Sequence, residues 1–143
     1  TVRADEFDAQ LIVGGSQKVR AKIEELDQKG NDATAKEKNL LTILEVALEM
    51  YERGIKLLKV DLAKSDAQRF LITPQGILPP LVALQGVGLA AAASIVEARK
   101  QRFFTSVEDL RNRARLGKNI IDVLSEHGCL DRLPESDQLS LFD

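Results

Sequence analysis

The feature that most constrains the fold is a Gly-Val-Gly turn at residues 86–88, which lies between two apolar segments. The preceding Leu81-Val-Ala-Leu84 suits a short buried helix, and the segment that follows, from Leu89 to Arg99, contains four consecutive alanines. Glycine permits positive φ and the close approach of another backbone. The stretch therefore predicts two short helices joined by a tight turn and packed closely together.

A helix that begins at Leu89 would point its free N–H groups outward, where they and the helix dipole favour a bound phosphate. The pattern resembles the helix-hairpin-helix motif, which grips the DNA backbone without reading bases. Gln85 occupies the place where that motif usually has proline. The alternative is a tight turn that serves only packing. The resemblance implies contacts to duplex DNA from these residues: Gly86, Val87, Gly88, Leu89, Ala90 and Ala91.

The distribution of charge favours a phosphate partner, although the whole chain has a formal net charge of −2. Residues 86–118 carry seven basic and three acidic side chains, a formal charge of +4. Arg99, Lys100 and Arg102 lie at the far end of the alanine-rich helix and are further candidates for contacts to the same strand. Residues 119–143 carry −5. A basic block beside an acidic tail indicates local phosphate contact and then a different partner site.

A second helical unit follows the first. Ser106 is expected to cap a helix, with Asp109 at the capping-box position, and a further helix is expected to run from Asn119 to Gly128. Gly117 and Lys118 precede that last helix, so the unit resembles a degenerate second hairpin with one glycine. Two roles stay open for Gly117 and Lys118: packing against the first hairpin, or a second contact to phosphate.

The C-terminal pentapeptide Gln138-Leu139-Ser140-Leu141-Phe142 resembles the motif with which bacterial proteins bind the sliding clamp, the beta subunit. An extended segment would offer the Gln138 amide for hydrogen bonds, while its three apolar side chains fill a groove. We expect residues 134–143 to form a flexible tail, because they are too few and too polar to fold alone. The alternative is a tail that folds back on the domain.

The first third of the chain predicts two amphipathic helices that serve as scaffold. Ser16 is expected to cap a helix that ends at Lys29, before Gly30. Thr34, with Glu37 three residues later, predicts a capping box and a second helix that runs to Arg53. The apolar stripe of that second helix consists of Leu40, Leu41, Leu44, Ala47, Leu48 and Tyr51.

Between these helices and the glycine turn, the sequence predicts little regular structure. Residues 55–60 are compatible with a short strand and residues 61–67 with one helical turn. Pro74-Gln-Gly76 is a turn signal with apolar residues on both sides, so it favours a small β-hairpin. Prolines 79 and 80 would stop a strand and can open a helix.

The reactive side chains do not form a catalytic or metal-binding pattern. His127 is the only histidine and Cys129 the only cysteine, so no disulfide can form within the chain, which favours an intracellular protein. The acidic cluster Asp5, Glu6 and Asp8 is interpreted as a solvated face. No apolar run approaches the roughly 20 residues that span a bilayer. We expect no catalytic residue, metal ion, cofactor or membrane partner for this chain.

Over nearly its whole length the sequence resembles the C-terminal part of PolC-type DNA polymerase III alpha subunits, the replicative polymerases of low-GC Gram-positive bacteria. One segment on which this resemblance depends is Leu44-Glu-Val-Ala-Leu-Glu-Met-Tyr-Glu-Arg-Gly54. The others are residues 1–8, 36–42, 59–62, 70–72, 128–131 and 138–142. The absence of an initiator methionine agrees with a chain taken from within a longer protein.

The resemblance implies a mainly helical fold with a small β-hairpin, and a division into three parts. Residues 1–61 would be the end of the fingers region, 62–133 the helix-hairpin-helix region that binds duplex DNA, and 134–143 the clamp-binding tail. The polymerase carboxylates and their magnesium would lie elsewhere in the parent, so this chain alone would be inactive. Its expected partners are duplex DNA, the sliding clamp and the rest of the polymerase, in the cytoplasm. Two alternatives are a free-standing helix-hairpin-helix adaptor and a purely structural helical domain.

Overall fold

The structure, a computed structural model, describes residues 3–137. It confirms the expected class, because this part of the chain is built from helices and one two-stranded antiparallel hairpin. The elements are α1 Ala9–Ile12, α2 Ser16–Lys29, α3 Ala35–Glu52, β1 Leu71–Thr73, β2 Gly76–Leu78, α4 Leu89–Gln101, α5 Val107–Ala114 and α6 Lys118–His127. Single 3-10 turns occur at Ala4–Glu6, Gly30–Asp32 and Leu81–Ala83.

The predicted scaffold is present as the pair α2 and α3, which pack against each other. Val19 and Leu26 of α2 are buried, as are Leu44 and Ala47 of α3. The predicted capping box of α3 is confirmed: Thr34 Oγ1 accepts the Glu37 N–H at 3.1 Å, and Glu37 Oε1 accepts the Thr34 N–H at 3.2 Å. These two bonds satisfy donors that a helix start leaves free.

The start of α2 differs from the expectation by one residue. Ser16 is the first helical residue and not the cap, which is Gly15. Gly15 has φ +107°, a conformation that glycine adopts without strain, and it turns the chain from the end of α1 into α2. The helix therefore begins one residue earlier than the serine before the apolar stripe predicts.

The hairpin forms as predicted, but residues 55–60 do not pair as a strand. Leu71 pairs with Leu78 and Thr73 with Gly76 across the turn. Residues 55–60 contribute only an isolated bridge between Leu57 and Ile77. The segment leaves the sheet at Val60, whose N–H donates to Nε2 of His127 at 2.9 Å. The extended run is therefore held by two backbone hydrogen bonds, between Ile77 and the flanking Lys56 and Leu58, and by His127 at its end.

The segment before the glycine turn is shorter than the helix expected there. Leu81–Ala83 is a single 3-10 turn, and Leu84 is already extended, with ψ +120°. The side chains of all three residues in the turn, and of Leu84, are buried. The expectation rested on apolar character alone, which specifies burial and does not separate one helical turn from several.

His127 joins the N-terminal scaffold to the C-terminal helices. Its Nδ1 lies 2.6 Å from Oε1 of Gln10 in α1, while Nε2 accepts the Val60 N–H, so Nδ1 carries the proton. Burial lowers the pKa of His127, and the charge of Lys59 lowers it further while Asp8 opposes. Buried residues on both sides of this contact belong to one hydrophobic cluster. The neutral imidazole is therefore part of the packing between the two halves.

We predict that the free energy of unfolding falls as the pH drops below the ordinary histidine value of 6.5. The folded pKa lies below the unfolded one, so the stabilisation is complete above pH 6.5 and is lost as protons bind the unfolded chain first. His127→Ala should remove this dependence and cost about 1–3 kcal/mol at pH 7.5, because the Val60 N–H loses its partner. Urea unfolding at several pH values measures both, with exposed Ser125→Ala as the control. Equal pH profiles for parent and His127→Ala would contradict the assignment.

Candidate nucleic-acid interface

The first hairpin turns at Gly86, where the backbone requires glycine. Gly86 has φ +99°, and a Cβ there would lie 3.3 Å from Cγ2 of Val123 in α6. Val87 is buried, and its N–H donates to the Leu84 carbonyl at 3.0 Å. Gln85, at the position of the usual proline, donates from Nε2 to the Asp5 carbonyl at 3.1 Å. The turn is thus held by packing on α6 and by a bond to the N-terminal segment.

Gly88 has a different character, because nothing in the fold requires glycine there. It precedes α4 with φ −74° and ψ +170°, an extended conformation open to any residue. A Cβ on Gly88 would meet no heavy atom within 4 Å. No side chain caps α4, so the N–H groups of its first turn are left for solvent or a ligand. The free space at Gly88 would admit a molecule that approaches those groups closely.

The second hairpin repeats this geometry at the start of α6. Gly117 precedes α6 with φ −77° and ψ +166°, again without a side-chain cap, and its Cβ would also meet nothing within 4 Å. Lys118, the first residue of α6, is exposed. Arg115 ends α5 in the left-handed conformation at φ +57°. Since Gly86 packs on Val123 of α6, the two uncapped helix starts belong to hairpins in direct contact.

The three basic residues assigned to the end of α4 lie away from the turn. At 1.5 Å per residue they are about 15–20 Å further along the helix than Gly88. Arg99 donates to the Leu62 carbonyl at 3.0 Å, and Arg102 pairs with Asp109 at 3.1 Å. Lys100 pairs with Glu97 and is mostly exposed. Any phosphate these residues contact is therefore a different one from the phosphate nearest Gly88.

Asp109 organises the contact between α4 and α5. Its carboxylate accepts the Thr105 N–H and both Arg102 and Arg113, each at 3.1 Å at the closest. Burial alone would raise its pKa, but the bonds from Thr105, Arg102 and Arg113 outweigh it and lower the pKa of Asp109 to about 2. Arg113 also donates to the Ala98 and Arg102 carbonyls and lies 5.0 Å from the centroid of the Phe104 ring. Arg102 and Arg113, two of the basic residues in the segment 86–118, thus help to hold α4 and α5 together.

The sequence predicts Lys118 as a possible phosphate contact, but it does not single out Arg3, Gln68, Arg111 or Arg115. Within residues 3–137, the exposed side chains of Arg111, Arg115 and Lys118 make no hydrogen bond or ion pair. Beside the first hairpin, Arg3 and Gln68 line a hollow of about 410 Å³ that also borders Gly88 and Leu89. No local pattern could have indicated Arg3 and Gln68, because only the fold brings residues 3 and 68 to the turn.

The predicted clamp-binding residues 138–142 lie outside the described part of the chain. The four residues before them are described, and the expectation of a free tail does not hold for these four. The Pro134 and Glu135 carbonyls accept the N–H groups of Val107 and Glu108 at 2.8 and 3.1 Å. Thr105 Oγ1 donates to Asp137 at 2.5 Å. Residues 134–137, called the stem below, therefore bind Thr105 and the first turn of α5.

The remaining reactive groups have structural environments. Cys129 donates from Sγ to the Val60 carbonyl at 3.3 Å, and burial raises the pKa of its thiol to about 12, so the reactive thiolate is disfavoured. Residues 3–137 contain no cluster of three or more His, Cys, Asp or Glu side chains placed to hold a metal ion. Over the same residues, every helix is too short or too polar to cross a membrane.

Comparison with known proteins supports the assignment of a helix-hairpin-helix motif. The family model described as helix-hairpin-helix motif matches residues 54–139. The chain is 56% identical over 142 residues to the DNA polymerase III PolC-type of Caldanaerobacter subterraneus subsp. tengcongensis, and 57% identical to that of Clostridium perfringens. It is 49% identical to that of Bacillus subtilis. Each match covers 99% of this chain and 10% of the relative, so the chain spans about a tenth of their length.

Proposed function

This chain belongs to the helix-hairpin-helix family and is homologous over nearly its whole length to a region of PolC-type DNA polymerase III, and from this premise we propose that it is a non-catalytic, duplex-binding part of a replicative polymerase. Polymerisation and the magnesium it uses would belong to the parts of the parent outside this chain. The chain would hold the DNA backbone through its hairpins and reach the sliding clamp through its tail.

The observation that carries the DNA-binding proposal is the geometry of Gly88. Gly86 needs to be glycine for the fold, since its φ is +99°, whereas Gly88 has an ordinary backbone and open space around it. We therefore infer that glycine at residue 88 leaves room for a ligand to approach the start of α4. A phosphate could come close enough to accept hydrogen bonds from the uncapped N–H groups of Leu89, Ala90 and Ala91, with the helix dipole adding attraction.

The same chemistry supports a second contact at α6. Gly117 has the same conformation and the same open space as Gly88, and Lys118 adds a cation with no described partner. Backbone N–H groups and a lysine recognise phosphate and carry no information about base edges. Binding should accordingly be independent of sequence and should weaken as the salt concentration rises, because counterions are released.

The competing functions differ in what they require. A purely structural domain gives no reason for glycine at residue 88, where no packing excludes a side chain. A free-standing adaptor is disfavoured by relatives in which a matching region is about a tenth of a much longer polymerase. Duplex binding as part of a polymerase is therefore the function that the geometry and the relatives support best.

We predict that Gly88→Asp separates DNA binding from folding. Aspartate is a preferred residue before a helix start, so the free energy of unfolding should stay the same or rise by a few tenths of a kcal/mol. The carboxylate would occupy the N–H groups and repel phosphate, so duplex affinity should fall roughly tenfold or more, about 1.4 kcal/mol. Fluorescence anisotropy with a short duplex and urea unfolding measure the two quantities.

Two variants control for charge and shape in this experiment. Gln28→Asp adds the same charge at an exposed position of α2 and should bind duplex almost like the parent. Gly88→Asn adds a side chain of the same shape without charge and should fall between Gly88→Asp and the parent. Equal affinity of Gly88→Asp and the parent at several salt concentrations would place the DNA contact elsewhere.

Clamp binding by the tail is supported by the sequence of residues 138–142 and by the position of the stem. Ordering about five residues costs roughly 1–2 kcal/mol each, while burying Leu139, Leu141 and Phe142 returns about 1.5–3 kcal/mol apiece. These terms nearly cancel, so bonds from Gln138 and the backbone would decide a roughly micromolar affinity. The stem ends at residue 137, immediately before the pentapeptide, so a clamp bound at residues 138–142 would lie close to α5 at a high effective concentration.

We predict that the double variant Leu141→Ala, Phe142→Ala loses clamp binding and keeps duplex affinity, because only apolar groups beyond the stem are removed. Ser140→Ala, at the variable position of the pentapeptide, is the matched control and should bind the clamp like the parent. Surface plasmon resonance on immobilised clamp, together with duplex anisotropy, measures both activities. A double variant that binds the clamp as tightly as the parent would show that the tail is not the docking segment.

A further inference from the structure

An apolar surface lies on α3 and the β-hairpin, and neither the proposed DNA contact nor the proposed clamp contact involves it. Ile72, in β1, is 91% exposed, although it is a large aliphatic side chain on a regular strand. Val46 of α3 is 42% exposed, and Val46 and Ile72 both line one depression, whereas the exposed Ile55 and Leu71 do not. Single exposed hydrophobic residues are common on folded proteins, but a group of them around one depression marks an interaction site.

The depression is a groove of about 340 Å³ between α3 and the hairpin, lined by apolar residues only. Its walls include Val46, Ala47 and Met50 on α3 and Ile72 and Ile77 on the hairpin. Ile72 pairs with Ile77 across the strands, so both side chains stand on the same face. We call this surface the α3–hairpin groove. Without a charged side chain it offers nothing to phosphate, so nucleic acid is not its ligand.

Two sets of contacts support the walls of the groove. Phe7 and Phe70, which also line it, pack edge to face with ring centroids 5.0 Å apart. The hairpin is fixed to the loop behind it, because a Cβ on Gly76 would lie 2.5 Å from the Lys56 carbonyl oxygen and the Ile77 N–H donates to that oxygen at 2.8 Å. The hairpin is thus anchored on the side of Lys56, and the Ile72 side chain is left 91% exposed on its other strand.

We propose that the occupant of the α3–hairpin groove is an apolar segment of the polymerase that lies outside this chain. Relatives that match the chain over 99% of its length are about ten times longer, so most of the parent molecule is absent from the structure. A segment of the same polypeptide is present at a high effective concentration at all times. The inference rests on the polymerase part of the proposed function and is independent of DNA and clamp binding.

Photo-crosslinking in the whole polymerase that contains this chain tests the proposal. Ile72→benzoylphenylalanine places the probe over the groove, and mass spectrometry identifies the peptide it captures. We expect an intramolecular crosslink to a peptide outside this chain, with the same yield in the presence and absence of clamp and duplex. A crosslink to the clamp, to a second polymerase copy or to residues 138–143 would overturn the proposal, as would the absence of a protein crosslink.

A second variant tests whether the crosslink depends on the apolar surface of the groove and not on chance proximity of the probe to another peptide. Val46→Asp adds a charge to the wall of the groove at a half-exposed position that the core of this chain does not need. In the probe-bearing polymerase it should lower the crosslink yield several-fold, whereas Gln28→Asp on α2 should leave the yield unchanged. An unchanged yield with Val46→Asp would also overturn the proposal. Duplex and clamp affinities of these variants report the proposed function separately.

Discussion

The contact between Gly86 and Val123 is the constraint on which the candidate interface depends. Gly86 has φ +99°, a conformation that side-chain-bearing residues rarely adopt, and a Cβ there would lie only 3.3 Å from Cγ2 of Val123 in α6. The start of α4 is therefore fixed beside the helix that carries the second hairpin. This packing contact joins the two hairpins whose helix starts are uncapped and preceded by an extended glycine. Phosphate binding at either one would require no rearrangement of the fold.

Buried and partly buried polar bonds decide which charges remain for a ligand. His127 links Val60 to Gln10. Arg113 of α5 donates to the Ala98 and Arg102 carbonyls at the end of α4, and to Asp109 within α5. These bonds satisfy donors and acceptors that would be costly to leave unpaired. Only cations outside this framework, such as Lys118 and Arg115, remain for phosphate. The formal charge of a segment therefore overstates what it offers to DNA.

Local signals predicted the parts of the fold that local interactions determine. The capping box of Thr34 and Glu37, the turn at Gly76 and the glycine reversal at residue 86 each depend on residues close in sequence, and the structure contains all three. The 3-10 turn at Leu81–Ala83 and the docked stem depend on contacts across the fold, which no window of sequence contains. The same holds for Arg3 and Gln68 at the hairpin, and for Arg99, which donates to the Leu62 carbonyl.

The central claim is that the first turn of α4 holds the DNA backbone through its N–H groups, and amide NMR shifts test it most directly. The chain, labelled with ¹⁵N, is titrated with a short duplex, and the amide positions are followed through saturation. The account predicts the largest downfield shifts at Leu89, Ala90 and Ala91, with a second group at the start of α6, for duplexes of unrelated sequence. Shifts confined to the Arg99–Arg102 end of α4, with none at Leu89 to Ala91, would contradict it.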